Sequence, residues 1–342
     1  MTAPNGDLIQ IETGPGEVEA LLDELFAKPR RAIMKWSAVT GQTAQVRLAY
    51  PGQHLASLVT GMRGRGTAAR GVDLVDGSEV KSCSRADQLG QCKNCGAGVL
   101  PYVAECPECG GGAIRRKTDS HWIISVKTEQ ELKQYLEGPR LMLILFDRDI
   151  SDKSKMRVRA WEVWPREARH AYFVWFLDNY YRQNYLVKVE VGEQPAPCNL
   201  HPLKRDFYLM CPVLVFEALI HDADTEHAIP EIVSFVAPTK DRSDLAAEVI
   251  PATVLKPGER LALVTGNVDP EVVSRWTRGE IAPGDVRRLL GTSGGGQVLA
   301  RAIREVDEGA VSLLPRLEKR IKRTPSDYHR RIPGSSWPSN SG

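Results

Sequence analysis

Two groups of residues in this chain could do metal chemistry. The first lies in the stretch GVDLVDGSEVKSCSR, residues 71–85. Two carboxylates held close together repel each other unless a cation sits between them, so Asp73 and Glu79 invite a hard divalent metal such as Mg²⁺. Lys81, two residues past the glutamate, can orient or deprotonate a metal-activated water. The second group is the pair of knuckles Cys92-Lys-Asn-Cys95-Gly and Cys106-Pro-Glu-Cys109-Gly. Four thiolates at this spacing suit tetrahedral Zn²⁺, and a closed sulphur sphere leaves no open position for catalysis. The zinc site is therefore read as structural.

The acidic pair depends on a β-hairpin. Val72 and Leu74 alternate with polar neighbours, Asp76-Gly77 supplies turn chemistry, and the return strand starts at Ser78-Glu79. A two-residue loop would put Leu74 opposite Glu79. A three-residue loop, Val75-Asp76-Gly77 with Gly77 left-handed, sets Asp73 opposite Glu79. The second register is adopted: Asp73, Glu79 and Lys81 line one face, and Val72, Leu74 and Val80 the other. The plainer alternative is a solvated hairpin face carrying a Glu–Lys pair.

The surrounding elements follow from periodicity. Helical spacing covers residues 17–28, and Pro29 opens a second helical stretch with Lys28, Arg30, Arg31 and Lys35 around it, either a solvated basic face or a phosphate contact. Tyr50-Pro51-Gly52 reads as a turn before a short helix, residues 53–60. The loop GMRGRGTAARG then brings Arg63, Arg65 and Arg70 to the hairpin, where they could meet DNA phosphates. Past the knuckles, Arg115, Arg116 and Lys117 offer the same. Residues 121–127 read as a strand, Thr128 with Glu131 as a capping box, Gly138 as a helix stop, and 139–147 as a strand buried on both faces. Tyr172, Phe173 and Phe176 read as core, and 186–191 and 211–220 as strands or buried elements.

The expected organisation is a flexible arm (1–16), a main domain (17–250) with the knuckles at 90–118, a helical DNA-binding or dimerisation region (251–330) and a disordered tail (331–342). The stretch GNVDPEVVSRWTRGEIAP resembles the turn and second helix of repressor-type helix-turn-helix domains, which would aim Arg275 and Arg278 at a major groove. Net charge is only +2, so an anionic partner must be met by local patches. The first residues lack the basic and apolar regions of a secretory signal. The longest apolar run, Leu141 to Phe146, is far too short to span a bilayer. Paired CxxC cysteines suit a reducing cytoplasm.

Asp73 followed by Glu79-x-Lys81 resembles the PD-(D/E)xK nuclease superfamily. The helix-strand-strand-strand-helix-strand order around these residues is what that core implies. The run from PGQHLASLVTGMRGRGTAARGVDLVDGSEVKSCSRADQLGQC through CPECG to LFDRD is similar to the MamI-type restriction endonucleases. The resemblance implies an α/β fold: a PD-(D/E)xK restriction-endonuclease-like core, with a mixed central sheet flanked by helices, a zinc-ribbon insertion and a mainly helical C-terminal region. It also implies a bacterial, cytoplasmic type II enzyme. Such an enzyme is a homodimer using Mg²⁺ that cuts both DNA strands at a short interrupted palindrome of the GAT…ATC kind and leaves 5′-phosphates. A cognate methyltransferase belongs to such a system. Asp73 and Glu79 would be metal ligands and Lys81 the catalytic lysine. Many relatives of this fold carry a glutamate on the preceding helix, where this chain offers Gln53 or His54; Asp76 is a weaker substitute for Asp73. Two other readings stay open: a non-catalytic zinc-ribbon and helix-turn-helix DNA-binding protein, and a structure-specific repair nuclease of the same fold.

Overall fold

The computed structural model describes residues 9–42, 44, 46, 48–66, 72–117, 119–149, 151–248 and 282–290. Arg70, Arg275 and Arg278 lie outside the described residues, as do residues 1–8 of the arm, most of the helix-turn-helix-like stretch and the tail. The chain divides into two units. The first comprises Met1–Trp164, Ala196–Pro202 and Val213–Leu245.

Three helices open the first unit: α1 (Pro15–Leu22), α2 (Lys28–Thr40) and α3 (Ala49–Thr60). Pro29 stands in the first turn of α2, so the second helical stretch opens where the proline marks it. Between α1 and α2 the backbone runs through a π turn, Asp23–Ala27, with Lys28 N bonded to Asp23 O. The next residue is the proline, which has no N–H to donate, and the wider turn carries the helix past its ring. Likewise Tyr50-Pro51-Gly52 is the first turn of α3 rather than a separate turn, since a helix start leaves N–H groups unpaired and tolerates proline. Arg30 is no phosphate contact. Its buried guanidinium bonds Asp87 and Asp224 at 2.5 Å each and Ala223 O at 2.9 Å.

The central sheet has five strands in the order β1-β6-β7-β9-β10. These are β1 (Glu79–Ser84), β6 (Leu141–Arg148), β7 (Met156–Val163), β9 (Val213–His221) and β10 (Ile229–Phe235). The β1–β6 pair is parallel, with Glu79 opposite Leu141 and Lys81 opposite Leu143, and the other pairs are antiparallel. Helices α1 and α3 cover one face. There Val18, Leu22, Leu55 and Val59 pack with Leu74, Val80, Met142, Ile144 and Phe146 in one core. Residues alternate across a strand, so Glu79 and Lys81 stand on the opposite face with Leu141 and Leu143.

That opposite face carries α4 (Glu129–Glu137), which starts at the expected Thr128–Glu131 capping box. It ends at Gly138 in extended rather than left-handed backbone. A Cβ there would lie 2.8 Å from Gln134 O, so glycine is required for space. The strand expected over 121–127 is only β5 (Trp122–Ile124), and it pairs with β8 (Cys198–Leu200) outside the central sheet. Its place beside β6 is taken, because β1 and β7 already fill both ladders of that strand. Trp122 instead lays its indole N–H on Ile144 O at 2.9 Å. The knuckles form a three-stranded antiparallel sheet of β2 (Gly90–Cys92), β3 (Gly98–Val99) and β4 (Ile114–Arg115).

The second unit comprises Pro165–Pro195, Leu203–Pro212 and Ala246–Gly342. Its described elements include α5 (Ala171–Tyr180), α6 (Leu186–Glu190), α7 (Arg205–Leu209) and α8 (Pro283–Leu290). Tyr172 and Phe173 are buried, as their spacing suggests. Residues 186–190 are helix, not strand, and Val187 and Val189 are exposed. The alternating valines imitate a strand pattern, but the helix of α5 runs on through a π turn into α6.

Candidate active site and metal centre

The turn that carries the acidic residues closes as the three-residue loop requires. Leu74 N donates to Ser78 O at 3.1 Å, and Gly77 has φ +92°. Asp76 is consumed inside it. Its carboxylate accepts the Ser78 N–H and hydroxyl, each at 2.9 Å, and the Arg140 guanidinium at 2.6 Å. The arm before the turn departs from the hairpin reading: residues 72–74 do not ladder with β1. They pair with the basic loop instead, Arg65 N donating to Asp73 O and Val75 N to Arg63 O, both at 2.9 Å. The Asp73 side chain explains the change. Its Oδ2 accepts the Val80 N–H at 2.8 Å, so a carboxylate fills a place that a backbone carbonyl would take in a ladder.

Four of the residues singled out come together. Gln53, on α3, donates from Nε2 to Asp73 Oδ1 at 2.8 Å. Lys81 Nζ lies 2.7 Å from Glu79 Oε1. His54, the alternative on the same helix, is exposed. A fifth residue joins them: Tyr135 of α4 donates from its hydroxyl to Glu79 Oε1 at 3.3 Å, and its ring centroid lies 5.8 Å from Lys81 Nζ. Its spacing with Leu132 and Leu136 marks Tyr135 as a core position, and no signal in the sequence separates it from one.

Burial raises the Asp73 carboxyl above its ordinary range, against the pull of the Val80 amide and Lys81. Burial also raises Glu79, and the Asp73 charge adds to it, while Lys81 pulls it down. Burial alone would depress the Lys81 ammonium, but Tyr135 and Glu79 outweigh it and the net shift is upward. Lys81 is therefore a firm cation at neutral pH. It can orient or neutralise an oxyanion. Glu79 Oε2 is buried with no hydrogen-bond partner. An orphaned carboxylate oxygen next to a second carboxylate is costly, and a divalent cation would satisfy both, so the donor set fits a hard metal.

Glycine sets the approach of α3. A Cβ on Gly52 would lie 1.8 Å from Ser82 Oγ and 2.8 Å from its Cβ, so only glycine lets the helix sit this close to β1. The next residue is Gln53, which is thereby brought within reach of Asp73. Arg63 and Arg65 are exposed on the loop paired to the Asp73 arm. Arg115 and Lys117 are also exposed. Arg116 is engaged within its own ribbon, bonding Leu100 O at 2.7 Å and also Val103 O.

The sulphurs of Cys92, Cys95, Cys106 and Cys109 all lie within 4.8 Å of one another and could hold a metal ion. Gly96 and Gly110 follow each knuckle at φ +78° and +68°, the left-handed backbone that wraps a CxxC loop. The Cys95 and Asn94 amides aim at Cys92 Sγ and hold its thiol down at about 6, while the crowded neighbouring sulphurs push Cys95 and Cys109 up. Tyr102, between the knuckles, faces the Arg148 guanidinium of β6 at 4.5 Å and ties the ribbon to the central sheet.

The sequence model of the MamI restriction endonuclease family matches residues 35–253. Type II restriction enzyme MamI of Microbacterium ammoniaphilum is 32% identical over 147 residues, 42% of this chain. The match spans 42% of the length of that curated relative. No solved structure matches. Among the described residues no helix is long and apolar enough to cross a membrane.

Proposed function

Because the chain belongs to the MamI restriction endonuclease family, we propose that it is a type II restriction endonuclease acting on double-stranded DNA. It hydrolyses a phosphodiester in each strand at a short interrupted palindrome and leaves 5′-phosphates. The observation that carries this reading is the convergence of Gln53, Asp73, Glu79 and Lys81 beside the exposed Arg63 and Arg65. Asp73 and Glu79 would hold Mg²⁺, which when bound polarises the scissile phosphate. Gln53 orients Asp73, and the Lys81 ammonium positions the attacking water and balances charge built up on the phosphate. Arg63 and Arg65 hold the DNA backbone, with Arg70, Arg115 and Lys117 as further contacts. Arg275 and Arg278 would read the major groove.

On this reading the central sheet is a PD-(D/E)xK core, and the knuckles are a zinc ribbon whose ion is structural. A two-fold palindrome is matched by a homodimer. A cognate methyltransferase protects the host site, and the pair works in the bacterial cytoplasm. A digest of plasmid and phage DNA tests the nuclease reading. Discrete bands with Mg²⁺, lost with EDTA and lost in Glu79→Ala, support the enzyme. Binding without cleavage supports a DNA-binding protein instead, and cleavage confined to branches or ends supports a repair nuclease.

A further inference from the structure

Glutamate can present either oxygen to a metal, because its terminal torsion is broad and two-fold. Here the two oxygens are not equivalent. Oε1 takes both the Lys81 ammonium at 2.7 Å and the Tyr135 hydroxyl at 3.3 Å, while Oε2 takes neither. The hydroxyl is held by a rigid element: α4 is capped by Thr128 and Glu131 and anchored by buried Leu132 and Leu136. Tyr135 itself is only 8% exposed, and its ring centroid lies 5.8 Å from the Lys81 ammonium. A lysine on its own could swing and carry the carboxylate with it. A second donor from a different element makes one orientation of the carboxylate the favoured one.

We propose that Tyr135 is a positioning residue: together with Lys81 it occupies Glu79 Oε1 and leaves Oε2 as the oxygen offered to a divalent metal. The inference rests on the nuclease reading of the same site. It assigns Tyr135 no contact with DNA. Its effect passes through the carboxylate, as outer-shell hydrogen bonds commonly tune metal affinity.

Tyr135→Phe removes the hydroxyl and keeps the ring, so packing of α4 survives. Mn²⁺ binding to the full-length, zinc-loaded chain is titrated calorimetrically for the wild type, Tyr135→Phe and Glu79→Gln, and thermal melting checks the fold. The expected result is Glu79-dependent binding that weakens about tenfold in Tyr135→Phe. The Mg²⁺ concentration for half-maximal DNA cleavage rises by the same factor, and the rate at saturating Mg²⁺ is largely restored. A merely structural tyrosine would lower melting temperature and rate together and leave the metal dependence where it was. Unchanged, Glu79-dependent Mn²⁺ affinity in Tyr135→Phe overturns the inference alone. A wild-type chain that binds no Mn²⁺ through Glu79 and cuts no DNA overturns the nuclease reading, and this inference with it.

Discussion

Gln53 Nε2 and Asp73 Oδ1 are 2.8 Å apart, and the other Asp73 oxygen is bonded to Val80 N at the same distance. Helix α3 and strand β1 thus grip one carboxylate from two sides. Gln53→Ala releases one side of that grip without opening a buried charge. Cleavage in single-turnover assays is expected to fall about 10- to 100-fold, the usual cost of losing a partner that orients a metal ligand. Melting temperature should barely move.

Gly52 sets the distance that makes this grip possible. Gly52→Ala forces its methyl into Ser82, where the contact would be 1.8 Å to Oγ and 2.8 Å to Cβ. Overpacking of this kind costs about 1–3 kcal/mol, read as a shift in the urea midpoint at unchanged slope. Adding Ser82→Ala removes the closer contact and should recover part of the loss. Activity in Gly52→Ala should fall further than stability alone explains, since α3 must move and carries Gln53 with it.

What was legible beforehand tracks how local the physics is. Asp73, Glu79 and Lys81 fall within nine residues, and strand alternation was enough to put Leu74 and Val80 in the core. Asp76-Gly77 marks the turn but leaves two loop lengths open, and the folded chain closes the three-residue one. By contrast, Tyr135 lies 56 residues from Glu79 and shares its spacing with Leu132 and Leu136, so only the folded chain separates it from them. Pro51 reads as part of a separate turn because the helix start that absorbs it depends on packing. The partner of the Asp73 arm was misassigned for a similar reason: a side-chain carboxylate competes with backbone carbonyls, and patterning does not register that competition. The short strand β5 kept its strand character but not its sheet, since neighbour choice is a long-range decision.

Arg140 is the buried strut beneath the turn. It bonds Asp76 at 2.6 Å, Ser78 Oγ at 2.9 Å and Glu162 at 2.9 Å, and Glu162 also takes Arg242. Arg140→Met leaves Asp76 a buried charge without this partner. Removing one member of such a network costs about 3–5 kcal/mol, measurable by denaturant unfolding. Because the turn sets Asp73 against Glu79, cleavage should be lost even below the unfolding midpoint.

The ribbon has almost no hydrocarbon to fold around, with Val99 and the cysteines Cys92 and Cys106 as its buried centre. On the proposed reading a zinc ion supplies the rest. The purified chain is expected to carry one zinc ion per chain by elemental analysis. Structural zinc contributes about 10–16 kcal/mol of apparent binding energy in comparable small sites, so Cys106→Ser or strong chelation should unfold the ribbon. Limited proteolysis should then cut between 92 and 109. With Tyr102 no longer fixed over Arg148, the melting temperature of the remaining chain should drop as well.

Asp149, at the exit of β6, offers a test by acid. Burial would raise its carboxyl. The Ser151 hydroxyl, the Arg157 guanidinium and the Asp152 and Ser151 amides outweigh burial and hold it far below the usual range. Arg157 approaches at 2.5 Å and 3.0 Å, and the two amides at 3.0 Å and 2.9 Å. A depressed carboxylate favours the folded state at every pH above its unfolded pKa of about 3.9, and that contribution drains away as pH falls toward the folded value. Asp149→Asn should therefore cost about 1–3 kcal/mol at pH 7, the range for hydrogen bonds to a charged group. Below pH 4 the advantage should shrink steadily, and the two denaturation midpoints should draw together until they meet once pH has fallen through the folded value. A gap that stays constant down to pH 2 would show that the turn is held by Asp149's shape rather than its charge.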